Sequence, residues 1–368
     1  MATVALDVRV STPGGGKTYI ESLVPELVRR TGHRVLLVRA AQDRLHVPDM
    51  ETVYAPSKRG AQILWSQTTL PRLLRSRSVD LYHALKHPGP LAFGGRQVFT
   101  LGAASPFDGG SLYPMPLPEV IYWTVLGRAY LRRVDDVIAV SAFVARSLPP
   151  DLVPSGDRVH VIPHGVPEAY LSQPPPRRES SGPILAVGNV VAVKNFTTLV
   201  RAFAALPAEL RAAHPLVIAG SASGPEGDRV RDTAAALGVG AEVHLVGYLG
   251  AQELHRRFRE AALFVVSSLQ ESFSFALLEA MASALPCVVT ECGGTTEVGG
   301  PAVAVVRDPR DVRGLRDAIE RLLRHPEERD RLGATARQRA LEFSWQEAAR
   351  RTLAVYEGAL ARPPRVPA

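Results

Sequence analysis

Residues 267–300 read SSLQESFSFALLEAMASALPCVVTECGGTTEVGG, and their order decides the fold. The stretch follows the apolar run Leu263–Val266, which predicts a strand. It opens as a polar loop, Gln270 to Phe275, and passes into Ala276–Ala284, a run of strong helix formers stopped by Pro286. Cys287–Val289 then gives a second short apolar run. Strand, loop, helix and strand in this order, with strands that are apolar almost throughout, predict a parallel sheet covered on both faces.

The same alternation extends in both directions. Ile184–Val187, Leu216–Ala219 and Val243–Leu245 predict further strands of this sheet, with helices such as Phe196–Leu206 between them. An earlier set, Val4–Val8, Val35–Val38, Leu81–His83, Val98–Leu101 and Val137–Val140, alternates with helical patterns at Tyr19–Arg30 and Ile121–Arg132. Two such sets imply two α/β, doubly wound, Rossmann-like domains, and 368 residues are too many for one ordinary core. The polar, Pro-rich stretch SQPPPRRESSGP marks the boundary. The expected layout is a first domain over 1–165, a linker over 166–182 and a second domain over 183–345. Pro326 to Leu360 reads as helical and charged, and the chain ends in a Pro-rich tail.

Apolar residues make up 46% and charged residues 21%, a globular composition. No apolar run is long enough to span a bilayer, and Asp7 and Arg9 inside the first apolar stretch argue for a strand over a signal peptide. The two cysteines, Cys287 and Cys292, build neither a disulfide framework nor a zinc site, which fits a reducing cytoplasm. Residues 1–182 carry 21 Lys/Arg against 15 Asp/Glu, whereas residues 183–368 carry 22 against 21. The basic first half suits an anionic partner, such as a phosphorylated lipid carrier or a membrane surface reached peripherally. No aromatic-interleaved basic stripe points to nucleic acid.

Each domain begins with glycine at a strand-to-helix turn. Gly14, Gly15 and Gly16 follow the first strand and precede a helix expected near Tyr19, a place where backbone approaches an anionic ligand. GGGKT resembles the end of a P-loop, but that signature needs glycine where Ser11 stands. In the second domain Gly188 and Asn189 end a strand, and Lys194 sits at the mouth of the next helix, within reach of a diphosphate. Glu271 in the loop and Glu279 on the first turns of the following helix make a carboxylate pair beside the N–H groups of Phe273 to Ala276. A carboxylate that accepts two hydroxyls clamps a ribose; a second one holds a sugar or stabilises positive charge at its anomeric carbon. By spacing alone such a pair is equally a solvated loop charge and a helix-start residue favoured by the dipole.

The surroundings of the pair give it meaning. Glu271, Glu279-Ala280-Met281-Ala282, Pro286-Cys287-Val288-Val289, Gly293-Gly294 and Glu297-Val298 stand in the order found in family 4 of the retaining glycosyltransferases. The likeness extends to LDVRVSTPGGG, VAVSAFVARSL, RVHVIPHGV and FSWQEAARRTLAVYEG. The resemblance implies the GT-B fold, two Rossmann-like domains facing across a cleft, with a final helix crossing back to the first domain and a 346–368 tail segment. By position it assigns the nucleotide ribose to Glu279, the donor sugar and diphosphate to Glu271 and the loop Ser272, Phe273, Ser274 and Phe275, and diphosphate charge to Lys194. It places the base near Gly247 and Tyr248, and brings Gly15 and Gly16 to the donor phosphate, with Gly188 and Asn189 at the same mouth.

Several positions depart from the family pattern. Asn189 stands where arginine is common, Ser272 and Ser274 replace loop glycines, and Gly102-Ala103 stand where a His-Asp pair is common. That histidine usually lines the transfer site, and His83 or His87 is a spatial substitute, His83 being the catalytic candidate at a strand end. The implied activity is metal-independent, retaining transfer of a hexose from a nucleotide-sugar to a saccharide or lipid-linked acceptor in cell-surface glycan synthesis. The donor is a substrate, so no cofactor is implied. The likeness to bacterial mannosyltransferases favours GDP-mannose over UDP-sugars. The competing expectation is a glycosyltransferase-like binding subunit that has lost catalysis.

Overall fold

The computed structural model describes residues 1–9, 14–103, 117–152, 156–172 and 181–363. The chain divides into two compact units, residues 1–165 with 344–368 and residues 166–343.

The first unit holds a seven-stranded sheet, β1 (Thr3–Asp7), β2 (Arg34–Ala40), β3 (Thr52–Ala55), β4 (Leu81–Ala84), β5 (Arg96–Leu101), β6 (Asp136–Ala139) and β7 (Val159–Val161). Its spatial order is β3-β2-β1-β4-β5-β6-β7, and every pairing is parallel. The order reverses between β1 and β4, where a doubly wound sheet opens a crevice at its carboxyl ends. Helix Trp345–Ala361 returns to this unit and packs along helix Gly15–Arg30.

The second unit holds six parallel strands, β8 (Ile184–Val187), β9 (Leu216–Ala219), β10 (Val243–Gly247), β11 (Leu263–Val266), β12 (Cys287–Thr290) and β13 (Ala304–Val306). The order is β10-β9-β8-β11-β12-β13, reversing between β8 and β11. Alternate residues enter different cores. Ile184, Ala186, Ile218, Leu263, Val265 and Val288 meet helices Phe196–Ala204 and Val312–Arg324. Leu185, Val217, Phe264, Val266 and Val289 meet helix Phe275–Ala282 and Ala336 and Ala340 of helix Pro326–Ala340. Both faces are therefore dry, which is why the strands read as unbroken apolar runs.

The structure adds β3, β7 and β13, for which the sequence gives no clear signal. All three lie at sheet edges, with one neighbour each, and Tyr54 of β3 is 61% exposed. The helix expected near Tyr19 begins earlier, at Gly15, because the N–H groups of Lys17 and Thr18 both bond the Gly14 carbonyl. Gly15 and Gly16 thus lie in a first helical turn. The expected linker is structured at its start: helix Glu168–Leu171 follows Val166, and both Val166 and Tyr170 are buried in the second unit's core. The charged tract after Pro326 breaks into two helices at residues 341–344, where the chain leaves the second unit. No helix among the described residues is long and apolar enough to cross a membrane.

Candidate functional site

The carboxyl ends of β8 and β11 carry the two loops that meet at the second unit's reversal point. β8 ends in Gly188, whose φ of +151° suits glycine, and a Cβ there would lie 3.0 Å from Cε of Lys194. The lysine stem therefore folds over the strand end. A short 3-10 turn, Ala192–Lys194, is closed by Asn195 in the left-handed region (φ +55°), and helix Phe196–Ala204 follows. Asn195 donates to the Pro309 carbonyl at 2.7 Å and accepts from the Thr198 hydroxyl at 2.7 Å, which offsets the cost of its backbone conformation.

The two loops are stitched together. The Ser267 hydroxyl donates to the Lys194 carbonyl at 2.9 Å, and the Leu269 N–H donates to the Val193 carbonyl at 2.7 Å. Thr290 of β12 donates to the Ser268 carbonyl at 2.7 Å. The main chain of Glu271 re-enters the ladder, donating to Cys292 O and accepting from Gly294 N, both at 2.8 Å. Its carboxylate is buried, 2.5 Å from Lys194 Nζ, and Oε1 also accepts from the Ser268 hydroxyl at 2.8 Å. Lys194 and Glu271, given separate tasks by the family resemblance, are one ion pair. With Glu271 buried and Lys194 partly so, the pair is costly to break by removing the lysine and leaving the carboxylate alone.

Helix Phe275–Ala282 starts beside this pair. Ser274 is its N-cap, with Oγ accepting from Leu277 N at 3.4 Å, so its buried hydroxyl serves the helix and is not free for a ligand. Phe273 stacks edge-on against Phe275 and Phe343, with centroids 5.6 and 6.2 Å apart, which fixes the loop that carries Ser272. Glu279 lies half-buried one turn into the helix. Burial raises its carboxyl to about 8, while a hydrogen bond from the Tyr170 hydroxyl pulls the other way. Tyr170 had no signal in the sequence beyond an aromatic in an expected linker. Asn189 is exposed, and its side chain accepts from Ser221 N at 3.3 Å. Tyr248 follows the edge strand β10 and is 74% exposed, two strands away from β8.

The first unit places His83, the catalytic candidate, away from solvent. It lies on β4 in mid-sheet and is wholly buried; Nδ1 meets the Tyr356 hydroxyl at 2.5 Å and Nε2 meets Thr100 Oγ1 at 2.8 Å. Burial lowers its pKa to about 3, so the ring is a neutral core group with both nitrogens engaged. Gly102 and Ala103 are exposed at the end of β5. At the end of β1, Asp7 and Arg9 form a buried bidentate pair, with Nε–Oδ1 at 2.8 Å and Nη2–Oδ2 at 2.5 Å. Burial pushes the Asp7 carboxyl up, but Arg9 overcomes it and holds the group below its ordinary range.

Comparison with known proteins agrees with this architecture. Residues 13–170 match Glycosyltransferase Family 4, and residues 171–339 match Glycosyl transferases group 1. The chain is 36% identical over 234 residues to the MMP alpha-(1->4)-mannosyltransferase of Mycolicibacterium hassiacum, an alignment that covers 63% of this chain and 56% of that protein. It is 31% identical over 288 residues to the D-inositol 3-phosphate glycosyltransferase of Xylanimonas cellulosilytica, covering 73% of this chain and 67% of that one. It thus spans little more than half the length of the first of these relatives. The structure of WaaG, a glycosyltransferase involved in lipopolysaccharide biosynthesis, superposes with a TM-score of 0.76 at 18% identity over 96% of this chain and 100% of that chain. With the two matches in sequence order and on two parallel doubly wound sheets, the chain belongs to glycosyltransferase family 4, with the GT-B fold.

Proposed function

We propose that the protein transfers a hexose, with retention, from a nucleotide-diphosphate sugar to a saccharide or lipid-linked acceptor. The observation that carries this reading is the Lys194–Glu271 pair, locked by Ser268 and by two strand-like backbone bonds at the carboxyl ends of β8 and β11. A diphosphate arriving there meets a cation at the strand ends and the N–H groups at the start of helix Phe275–Ala282. Lys194 then shares its charge between phosphate and Glu271, and the carboxylate stays aimed by Ser268. Glu279 takes the ribose hydroxyls. Tyr248, at the sheet edge, lies roughly 10 Å from β8 at ordinary strand spacing, a fitting reach for the base.

In this scheme the leaving diphosphate is neutralised by Lys194 and backbone N–H groups without a metal, and Glu271 faces the positive charge that develops at the anomeric carbon. GDP-mannose is the preferred donor, supported by the likeness to a protein named as a mannosyltransferase. Thermal-shift titration with GDP, UDP and ADP and their sugars should single out guanine nucleotides, since a ligand bound only by the folded chain raises its melting temperature. Stabilisation by uridine nucleotides alone would overturn that choice. Glu271→Gln should keep the fold yet lower turnover roughly a hundredfold or more. Excess chelator should leave wild-type turnover intact.

A second reading, a donor-binding subunit without catalysis, is favoured by Gly102 and Ala103 together with the burial of His83. Single-turnover assays with radiolabelled donor separate the two. Binding with neither transfer nor hydrolysis establishes the subunit.

A further inference from the structure

Of the chain's 43 basic residues only four are lysine, Lys17, Lys58, Lys86 and Lys194. Lys194 follows β8 at the second unit's reversal point, and Lys86 follows β4 at the first unit's. The loop that carries Lys86 is held from two sides. Gly89 lies so close to the rings beneath it that a Cβ would meet Tyr82 at 2.5 Å and the Tyr130 hydroxyl at 2.7 Å. From helix Arg59–Thr68, the Gln67 amide donates to the Gly89 carbonyl at 3.1 Å and accepts from Leu91 N at 3.0 Å. The lysine stem crosses Gly16 in the first turn of helix Gly15–Arg30, where a Cβ would lie 3.2 Å from Nζ.

The charges around Lys86 do not cancel. It is half-buried, and among the described residues no carboxylate comes within ion-pair distance of it. Burial and then the like charge of Arg59 hold the ammonium below its ordinary pKa, against a weaker pull from Asp43 and Glu119. Both acids are engaged elsewhere. Glu119 pairs with Arg59 at 2.5 Å, and Asp43 accepts from Ala40 N at 2.9 Å. Asp7 is likewise held by Arg9. His87 adds no charge, because burial and then Lys86 lower it to about 4. Helix Gly15–Arg30 has no acidic residue in its first turn, so the helix end under the lysine is positive as well. A half-buried ammonium in such company is costly alone, and an anion relieves it. The second unit already supplies the donor diphosphate with its own cation, Lys194.

We propose that Lys86, with Arg59 behind it, binds an anionic group, phosphate or carboxylate, carried by the acceptor. Naming the ligand an acceptor rests on the transfer reading; the anion site itself does not. The test uses the full chain with isotope-labelled methyl groups on its lysines, whose small number keeps the magnetic-resonance spectrum simple. The Lys86 signal is the one missing from Lys86→Gln. The chain is titrated without donor, with mannose 6-phosphate, with glucuronate and with mannose as the neutral control. At least one anionic sugar should move the Lys86 signal while mannose leaves it in place, and the choice between the two tells phosphate from carboxylate. Lys86→Gln should weaken binding of that sugar about tenfold, with unchanged circular dichroism and unchanged nucleotide-induced thermal shift. Arg59→Gln is the second variant, with the same direction expected, should Lys86→Gln lose its fold. A Lys86 signal that neither anionic sugar moves overturns the proposal. So does loss of the nucleotide-induced shift in a folded Lys86→Gln, because the cation then serves the donor diphosphate. Nucleotide binding without anion binding sinks this proposal alone, whereas anion binding without nucleotide binding supports the site and sinks the transfer reading.

Discussion

Glu279 has a chemistry that its place in a helix does not suggest. A carboxyl normally ionised above 4.5 is lifted by burial to about 8, and the Tyr170 hydroxyl favours the ionised form without restoring it. Near neutral pH the carboxyl of the proposed ribose clamp favours its protonated form before donor arrives, and both of its oxygens are free to accept hydroxyls once that proton is lost. The apparent affinity for donor should rise with pH through about 8. Glu279→Gln should flatten that profile, and Tyr170→Phe should move its inflection to higher pH. A profile identical in wild type and both variants would remove Glu279 from donor binding. The linkage to stability has the opposite sign. The folded chain binds this proton more tightly than the unfolded chain, so the contribution is complete below 4.5 and is lost as pH rises through about 8.

At the scale of elements, the loop 271–274 owes its position to a neighbour that has no side chain. A Cβ on Gly294 would fall 2.2 Å from the Ser272 carbonyl oxygen and 3.2 Å from Phe273 N. Gly294→Ala must displace the backbone that holds Glu271, so donor affinity should fall together with about 1–3 kcal/mol of stability. Calorimetric titration and urea unfolding measure the two losses. Gly94→Ala, at an exposed loop position where a Cβ meets nothing within 4 Å, is the control and should lower neither. Unaltered donor binding in Gly294→Ala would show that the loop is not part of the site. This element also marks how far the sequence could be read. The strand before it, the helix after it and the Glu–Gly-Gly order are local patterns, legible as apolar runs, helix formers and a stop at Pro286. The pairing of Lys194 with Glu271 spans 77 residues and has no local signature. Tyr170 was hidden in the same way, because its contact depends on an expected linker folding back as a helix. The burial of His83 was hidden for a related reason. A strand end looks open in sequence, yet β4 lies between β1 and β5, and its four residues are all buried. The edge strands β3, β7 and β13 lacked the second neighbour that makes central strands apolar throughout.

At the scale of the whole molecule, the chain passes between the units twice, and the consequences for the two are unequal. The first unit is completed only by the last helix. Tyr356 on that helix caps His83, and Trp345 lies so close to Gly165 that a Cβ there would come within 2.2 Å of its backbone nitrogen. Glu357 pairs with His33, and Arg362 pairs with Asp136. The second unit encloses both faces of its sheet with residues from 166–343 alone, and it contains every proposed donor group except Gly15 and Gly16. A fragment of residues 166–343 should therefore fold cooperatively and retain most of the binding free energy for the bare nucleotide, since Lys194, Glu271, Glu279 and Tyr248 are all present. A fragment of residues 1–165 should fail to fold unless 344–368 is supplied, because helix Gly15–Arg30 loses the element packed along it. Circular dichroism and calorimetric nucleotide titration of the two fragments check both statements. A folded 166–343 that binds no nucleotide would move the donor site away from the β8–β11 reversal, whereas an unfolded one would mean that its two cores depend on contacts outside 166–343.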